Sequence, residues 1–320
     1  MVDLAAYTLG DISKASSRLR SFYLFAECES AEIRVLRNIS YQEASECQII
    51  HLQGVLDFHL FYWLVIWRFR KINVVYDLAD QPGSWVSRLG YAFAIFLSNT
   101  LTVNTQERLI YWKKLFYFKR IVVIPDIADK NKNIPSLLPR IQGDPSINFF
   151  WIGHHENICS IQEFFPFLDI IKSRLLICTN IDQADNSAFK PFPIDLLQWQ
   201  QDITFSSQRM NSFMLLSHDH DKNSAMKSNN KMVLAIHSGF IPIISRTPEY
   251  ESLAKELNLE FLLFDDFSEV LSIAKEALSK DWDTILKIAQ SHLDHKYSTK
   301  AVFSIFMDCC ISAECSIDAK

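Results

Sequence analysis

The sequence has little glycine, no paired-cysteine motif, no excess of basic charge and no apolar run long enough to cross a bilayer. Each lack removes a class of function. Only 7 of 320 residues are glycine, so tight glycine-rich phosphate loops must be few. The seven cysteines, at 28, 47, 159, 178, 309, 310 and 315, are scattered and odd in number. Without a Cys-x-x-Cys pair they suggest neither a zinc cage nor a disulfide framework, and reduced thiols in a cytoplasmic protein are the simple account. A formal net charge of −5 argues against a nucleic-acid partner held by bulk electrostatics. The longest apolar segment, 56–67, is interrupted by Asp57 and His59 and is too short to span. No secretory signal is expected, because Asp3 and the polar residues after Gly10 break the first apolar stretch.

What is present describes a globular α/β chain. Nearly half the residues are apolar, with 24 Phe, 7 Trp and 10 Tyr, and the length accommodates two domains with separate cores. Short apolar runs at 4–9, 31–36, 47–52, 72–76, 100–104 and 120–125 read as strands. Between them, 14–25, 55–70, 85–97 and 105–117 read as helices. Residues 126–146 carry three prolines and no sustained periodicity, so they read as a linker. A second series follows, with strands expected at 148–152, 174–178, 192–199, 213–217, 241–245 and 261–264. Helices are expected at 160–171, 231–237 and 267–278, with a helical tail from 281 to about 311. Alternation of this kind implies parallel sheets covered by helices.

The stretch 213–248 organises the rest. It contains a buried strand, a polar loop, a helix, the stop Ser238-Gly239 and a second strand. A helix that begins where a parallel strand ends points its amides and positive dipole end into the crevice, where a diphosphate binds readily. Lys227, Ser228, Asn229, Asn230 and Lys231 crowd that helix start with two cations and three uncharged hydrogen-bonding side chains. The lysines can equally be solvated surface cations. After the strand at 148–152 come Gly153, a turn residue, and His154, a hydrogen-bond donor that local bonding explains equally well. After the first strand, Asp11, Ser16 and Arg18 sit where a base and sugar or phosphate contacts would sit, or where helix-capping residues would. Asp77 and Asp80 follow another strand, and either can accept a proton or cap the next helix. His218-Asp219-His220-Asp221 has ligand chemistry without a second ligand cluster, and no metal site is assigned from it.

The pattern Lys227-Ser228-x-Asn230-Lys231, then Gly239, a strand containing Pro242, and Pro248-x-Tyr250, resembles the donor-binding half of GT-B glycosyltransferases. It is most similar to those of bacterial capsule and lipopolysaccharide biosynthesis. The resemblance implies two Rossmann-like domains facing across a cleft: 1–138 on the acceptor side and 139–296 on the donor side, with a helix at about 297–312 packing back on the first. It implies a nucleotide-sugar co-substrate held by Gly153, His154 and residues 227–231, without a metal cofactor. Asp11 or Asp77 would be the base, with Ser16, Arg18 and Asp80 on a glycan or lipid-linked glycan acceptor. One departure stands out: where many retaining members carry two glutamates, this chain has Met226 and Leu234. That leaves open a non-catalytic scaffold subunit, and a sugar-nucleotide epimerase is a further alternative. The aromatic and basic helices at 55–70 and 85–97, with 111–120, read either as core helices or as a peripheral inner-membrane surface.

Overall fold

The computed structural model describes residues 2–12, 14–26, 28, 33–78, 85–128, 147–170, 172–183, 189, 191–199, 212–218 and 224–314. Residues 129–146 of the expected linker, Asp80, and Asp219 to Asp221 lie outside them. The chain divides into two compact units, Met1–Ala128 with His295–Lys320, and Asp129–Asp294.

The first unit holds strands β1 (Val2–Thr8), β2 (Ile33–Arg37), β3 (Ile49–Gln53), β4 (Asn73–Asp77), β5 (Thr100–Val103) and β6 (Arg120–Val123). They form one sheet in the order β2-β1-β3-β4-β5-β6, parallel throughout. The order reverses between β1 and β3, which makes the crevice at their carboxyl ends the place where such sheets take ligands. Helices α1 (Ala15–Ser17), α2 (Tyr41–Ala44), α3 (Phe58–Phe69), α4 (Trp85–Leu97) and α5 (Gln106–Leu115) connect the strands. Asp57 caps α3 by accepting from Leu60 N, and Thr105 caps α5 by accepting from Arg108 N. A Ser40–Glu43 capping box starts α2, a four-residue helix too short for apolar periodicity to reveal. The single helix expected at 14–25 is instead one turn of α1 running into a π-helical turn, Arg18–Phe22.

The second unit holds β7 (Asn148–Ile152), β8 (Arg174–Thr179), β9 (Ile194–Gln198), β10 (Ser212–Leu216), β11 (Ile241–Ser245) and β12 (Leu263–Phe264). Its order is β12-β11-β10-β7-β8-β9, again parallel. This is the dinucleotide-fold order with its reversal between β7 and β10. The helices are α6 (Phe165–Ile170), α7 (Asn230–His237), α8 (Pro248–Glu256), α9 (Val270–Leu278) and α10 (Trp282–Tyr297). The segment before α6 is a 3-10 helix, His155–Phe164, so helical backbone begins five residues earlier than periodicity suggests. Sequence periodicity also misses α8. Its start is written in Thr247-Pro248-Glu249, with a Thr cap, a proline at the first turn and acidic residues at the dipole's positive end.

The last helix, α11 (Thr299–Glu314), belongs to the first unit. Val302, Phe306 and Cys310 join a core with Leu4, Ala6, Phe25 and Val75. Asn73 Nδ2 and Arg120 Nη1 donate to the carbonyls of Cys310 and Cys309 at 2.8 and 2.9 Å.

Candidate functional site

The carboxyl ends of β7 and β10 flank the reversal of the second sheet, and α7 begins there. Asn229 is the α7 N-cap residue, buried, but its side chain does not cap the first-turn amides. The positive end of the helix is therefore not satisfied by a side-chain cap. The other end of α7 is closed tightly. Gly239 adopts φ +79°, Gly239 N donates to Ile236 O and Phe240 N to Ala235 O. This paired closure needs a left-handed residue, which is why a glycine stands here.

Lys231 lies in the first turn of α7, half-buried, with its Nζ 5.4 Å from the centroid of the Trp151 ring. Burial, and after it the neighbouring charge of Lys227, lower its pKa to about 8. Lys227 is exposed, Ser228 and Asn230 half-buried. Neither lysine is paired with a carboxylate among the described residues. Two ammonium groups that repel one another, one of them desolvated, make a site that gains by taking up an anion.

Trp151 links these residues to the turn after β7. A Cβ on Gly153 would stand 2.5 Å from the Trp151 indole, so only glycine leaves the ring where Lys231 lies against it. The Gly153 amide itself donates to Cys178 O at 3.2 Å, so that donor is taken up within the sheet edge. His154 is exposed, with Nδ1 3.5 Å from Glu156. His154, His155 and Glu156 bring one ligand atom each within 4.8 Å of one another. This open cluster is the one such group among the described residues.

On the other side of β10, His218 N donates to Ser245 Oγ at 3.0 Å. The His218 imidazole stacks on Tyr250, with Nε2 3.1 Å from the hydroxyl. Tyr250 is buried and fixed by its place in α8. The Pro-x-Tyr element thus orients the second residue beyond β10. Sequence reasoning singled out Tyr250 in a motif and His218 in a loop of ligand chemistry without this pairing, and it assigned no role to Trp151. A tryptophan two residues before a strand-end glycine was the available signal for that residue.

In the first unit the residues part company. Asp11 is exposed three residues beyond β1, and Ser16 is half-buried nearby in α1. Arg18 is buried and donates from Nη1 to Ile12 O at 3.1 Å, so it shapes the turn that carries Asp11. Asp77 does not fit the role of base. Its carboxylate is 1% exposed and accepts from Arg20 Nε at 2.8 Å, from Arg20 Nη2, and from Thr102 Oγ1 at 2.6 Å. Arg20 also donates to Asp126 and to Ile124 O. Burial would raise the Asp77 pKa, but the charge and hydrogen bonds of Arg20, with His51 and Thr102, outweigh it and hold the carboxyl low. A carboxylate held this way accepts a proton poorly. The strand-end position invited the catalytic reading, and the buried arginine that overturns it comes from 57 residues earlier in the chain.

No protein-family model matches the chain, and no curated protein sequence does. Solved structures do match. Sucrose-phosphate synthase from Thermosynechococcus elongatus is similar with a TM-score of 0.65 and 10% identity, over 99% of this chain and 100% of its own. An alpha-glucosyltransferase in complex with UDP matches at 0.61 and 12% identity, over 97% and 100%. The pneumococcal O-GlcNAc transferase GtfA, in complex with UDP and GlcNAc, matches at 0.53 and 10% identity. It covers 83% of this chain, which spans 56% of that chain's length. Strand order, parallel sense and these likenesses along nearly the whole chain together give this protein the two-sheet α/β fold of the GT-B glycosyltransferases.

Proposed function

We propose that this protein is a glycosyltransferase that takes its sugar from a nucleotide-sugar donor. The observation that carries the reading is the start of α7. An uncapped helix N-terminus, the desolvated Lys231 and the exposed Lys227 converge where the second sheet reverses. A nucleoside diphosphate supplies the two negative groups this place lacks. Lys231 and Lys227 would neutralise charge on the leaving diphosphate, and Ser228 and Asn230 would bond its oxygens or the ribose. That arrangement requires no metal for charge neutralisation. Two of the similar solved structures hold UDP, which makes UDP the first nucleotide to try.

The acceptor side would be the loop after β1, with Asp11 as the exposed carboxylate able to receive the acceptor's proton and Ser16 beside it. The acceptor we propose is a bacterial surface glycan, free or lipid-linked, on the strength of the Lys-Ser-x-Asn-Lys pattern. A second reading, a nucleotide-binding subunit without turnover, is favoured by Met226 and Leu234, which put no carboxylate beside the donor sugar.

A thermal-shift screen with UDP, GDP, CMP, dTDP and ADP tests the donor reading. A ligand at a hundred times its dissociation constant adds about 2.7 kcal/mol. Stabilisation by one nucleotide that disappears in Lys231→Ala is expected. Release of that nucleotide from its sugar conjugate then separates a transferase from a binding subunit. No shift with any of the five would remove the donor site from the account.

A further inference from the structure

Surface helices ordinarily turn apolar residues inward and polar ones outward. In α3 and α4 the outward stripes are apolar too. Phe58, Tyr62 and Phe69 stand 86%, 65% and 84% exposed along one side of α3, opposite the buried Leu60, Leu64 and Trp67. In α4 the exposed side is Trp85, Leu89, Phe93 and Phe96, opposite the buried Ala94 and Ile95. The two stripes are neighbours, since Phe61 and Phe93 meet ring to ring at 5.4 Å. Phe96 in turn meets Phe118 at 6.2 Å, beside the exposed Tyr117.

The turn carrying those last two aromatics is pinned. Lys119 is buried, and its Nζ donates to Phe96 O at 3.1 Å and Ser98 O at 2.5 Å, closing the carboxyl end of α4. Twelve of the seventeen large hydrophobic side chains that the described residues expose fall between 58 and 118. This is a continuous face and not a scatter.

Its charge is equally one-sided. Arg68, Arg70, Lys71, Arg88 and Lys114 are exposed on or beside these helices. Among the described residues between 57 and 120, the acidic ones are the exposed α3 cap Asp57, which accepts from Leu60 N and the Tyr41 hydroxyl, Asp77, buried in its ion pair, and the half-buried Glu107, against those five exposed cations. The whole chain is acidic, so this face carries the opposite sign to the protein's net charge.

We propose that this face docks on an anionic phospholipid bilayer, with the aromatic stripes of α3 and α4 at the acyl boundary and the cations among the headgroups. The helices have 12 and 13 residues, too short to span, and no helix among the described residues is long and apolar enough to cross a membrane. Phe, Tyr and Trp flanked by Arg and Lys match an interface that is apolar below and negative above. A second copy of this chain fits less well, because a twofold contact would press the same five cations against one another. The inference rests on unit 1 alone and stands whether or not the donor reading does.

Co-sedimentation of the full chain with phosphatidylcholine vesicles, with and without phosphatidylglycerol, tests it. Retention on the anionic vesicles, falling with salt, is expected. Trp85→Ser with Leu89→Ser should cut retention at least tenfold while leaving the melting temperature unchanged, since both side chains are mostly exposed. Arg68→Gln, Lys71→Gln and Lys114→Gln should each cost about fivefold, the equivalent of about 1 kcal/mol per cation. Equal retention on neutral vesicles, or no retention, would overturn the proposal. So would a dimer in sedimentation velocity that Trp85→Ser dissolves without any change in vesicle binding.

Discussion

Each unit is built on a six-stranded parallel sheet, and the two differ in strand order and in how charge is answered at the carboxyl edges. In the first, Arg20 is buried between Asp77 and Asp126, and its charge is answered within the fold. In the second, Lys231 and Lys227 face a helix start with no carboxylate among the described residues to answer them. Burial pushes both groups toward loss of their proton, and their neighbours act in opposite ways. The guanidinium of Arg20, despite desolvation, is held protonated by two carboxylates, whereas desolvation and Lys227 lower the pKa of Lys231. The lesson is that a strand-end charge marks a ligand site only when the fold leaves it unanswered.

The largest effect expected from breaking this contrast comes from Arg20→Met. It strands two buried carboxylates, and removing one partner of such a pair costs about 3–5 kcal/mol. Urea titration should show that loss, and a change below 1 kcal/mol would mean the ion pair is more solvated than its burial indicates. In the second unit, Lys231→Met should raise stability at neutral pH, by removing a desolvated charge, while weakening nucleoside diphosphate binding by about 1.5–3 kcal/mol, the range for a hydrogen bond to a charged group. Calorimetric titration separates the two quantities. Gly153→Ala should cost about 1–3 kcal/mol through overpacking against Trp151. It should also weaken nucleotide binding, because the displaced indole moves the surface under Lys231. A variant with normal affinity would show that the ring gives way elsewhere.

The smallest effect is on pH. The Lys231 pKa in the free protein, about 8, lies below the ordinary 10.5. Binding an anion favours the ammonium, so affinity is full below about pH 8 and declines as pH rises above it. Stability of the free protein runs the other way: the cost of the buried charge is present below pH 8 and is relieved between 8 and 10.5. Asp77, held low, contributes stability that is lost only as pH falls below the ordinary carboxylate range. Affinity that is flat across pH 7 to 10 would remove Lys231 from the site.

Most strands were legible because buried parallel strands are short apolar runs bounded by turn residues; β7 and β11 fall at the expected residues, 148–152 and 241–245. The glycine stop of α7 was legible for a similar local reason, since Gly239 supplies a backbone conformation other residues resist. The failures are non-local. Nothing near Asp77 in sequence announces Arg20, and the π-helical turn that aims Arg20 inward has no periodic signature. The exposed stripes of α3 and α4 were ambiguous for a different cause. A helix apolar all round has two candidate inner faces, and only the fold shows which one is covered.

Hydrogen exchange on the full chain, with and without the nucleotide that best stabilises it, tests the central claim most directly. The account predicts slowed exchange at 152–156 and 227–234 and little change at 9–20 or 73–78. Protection confined to the first unit, with 227–234 unaffected, would contradict it.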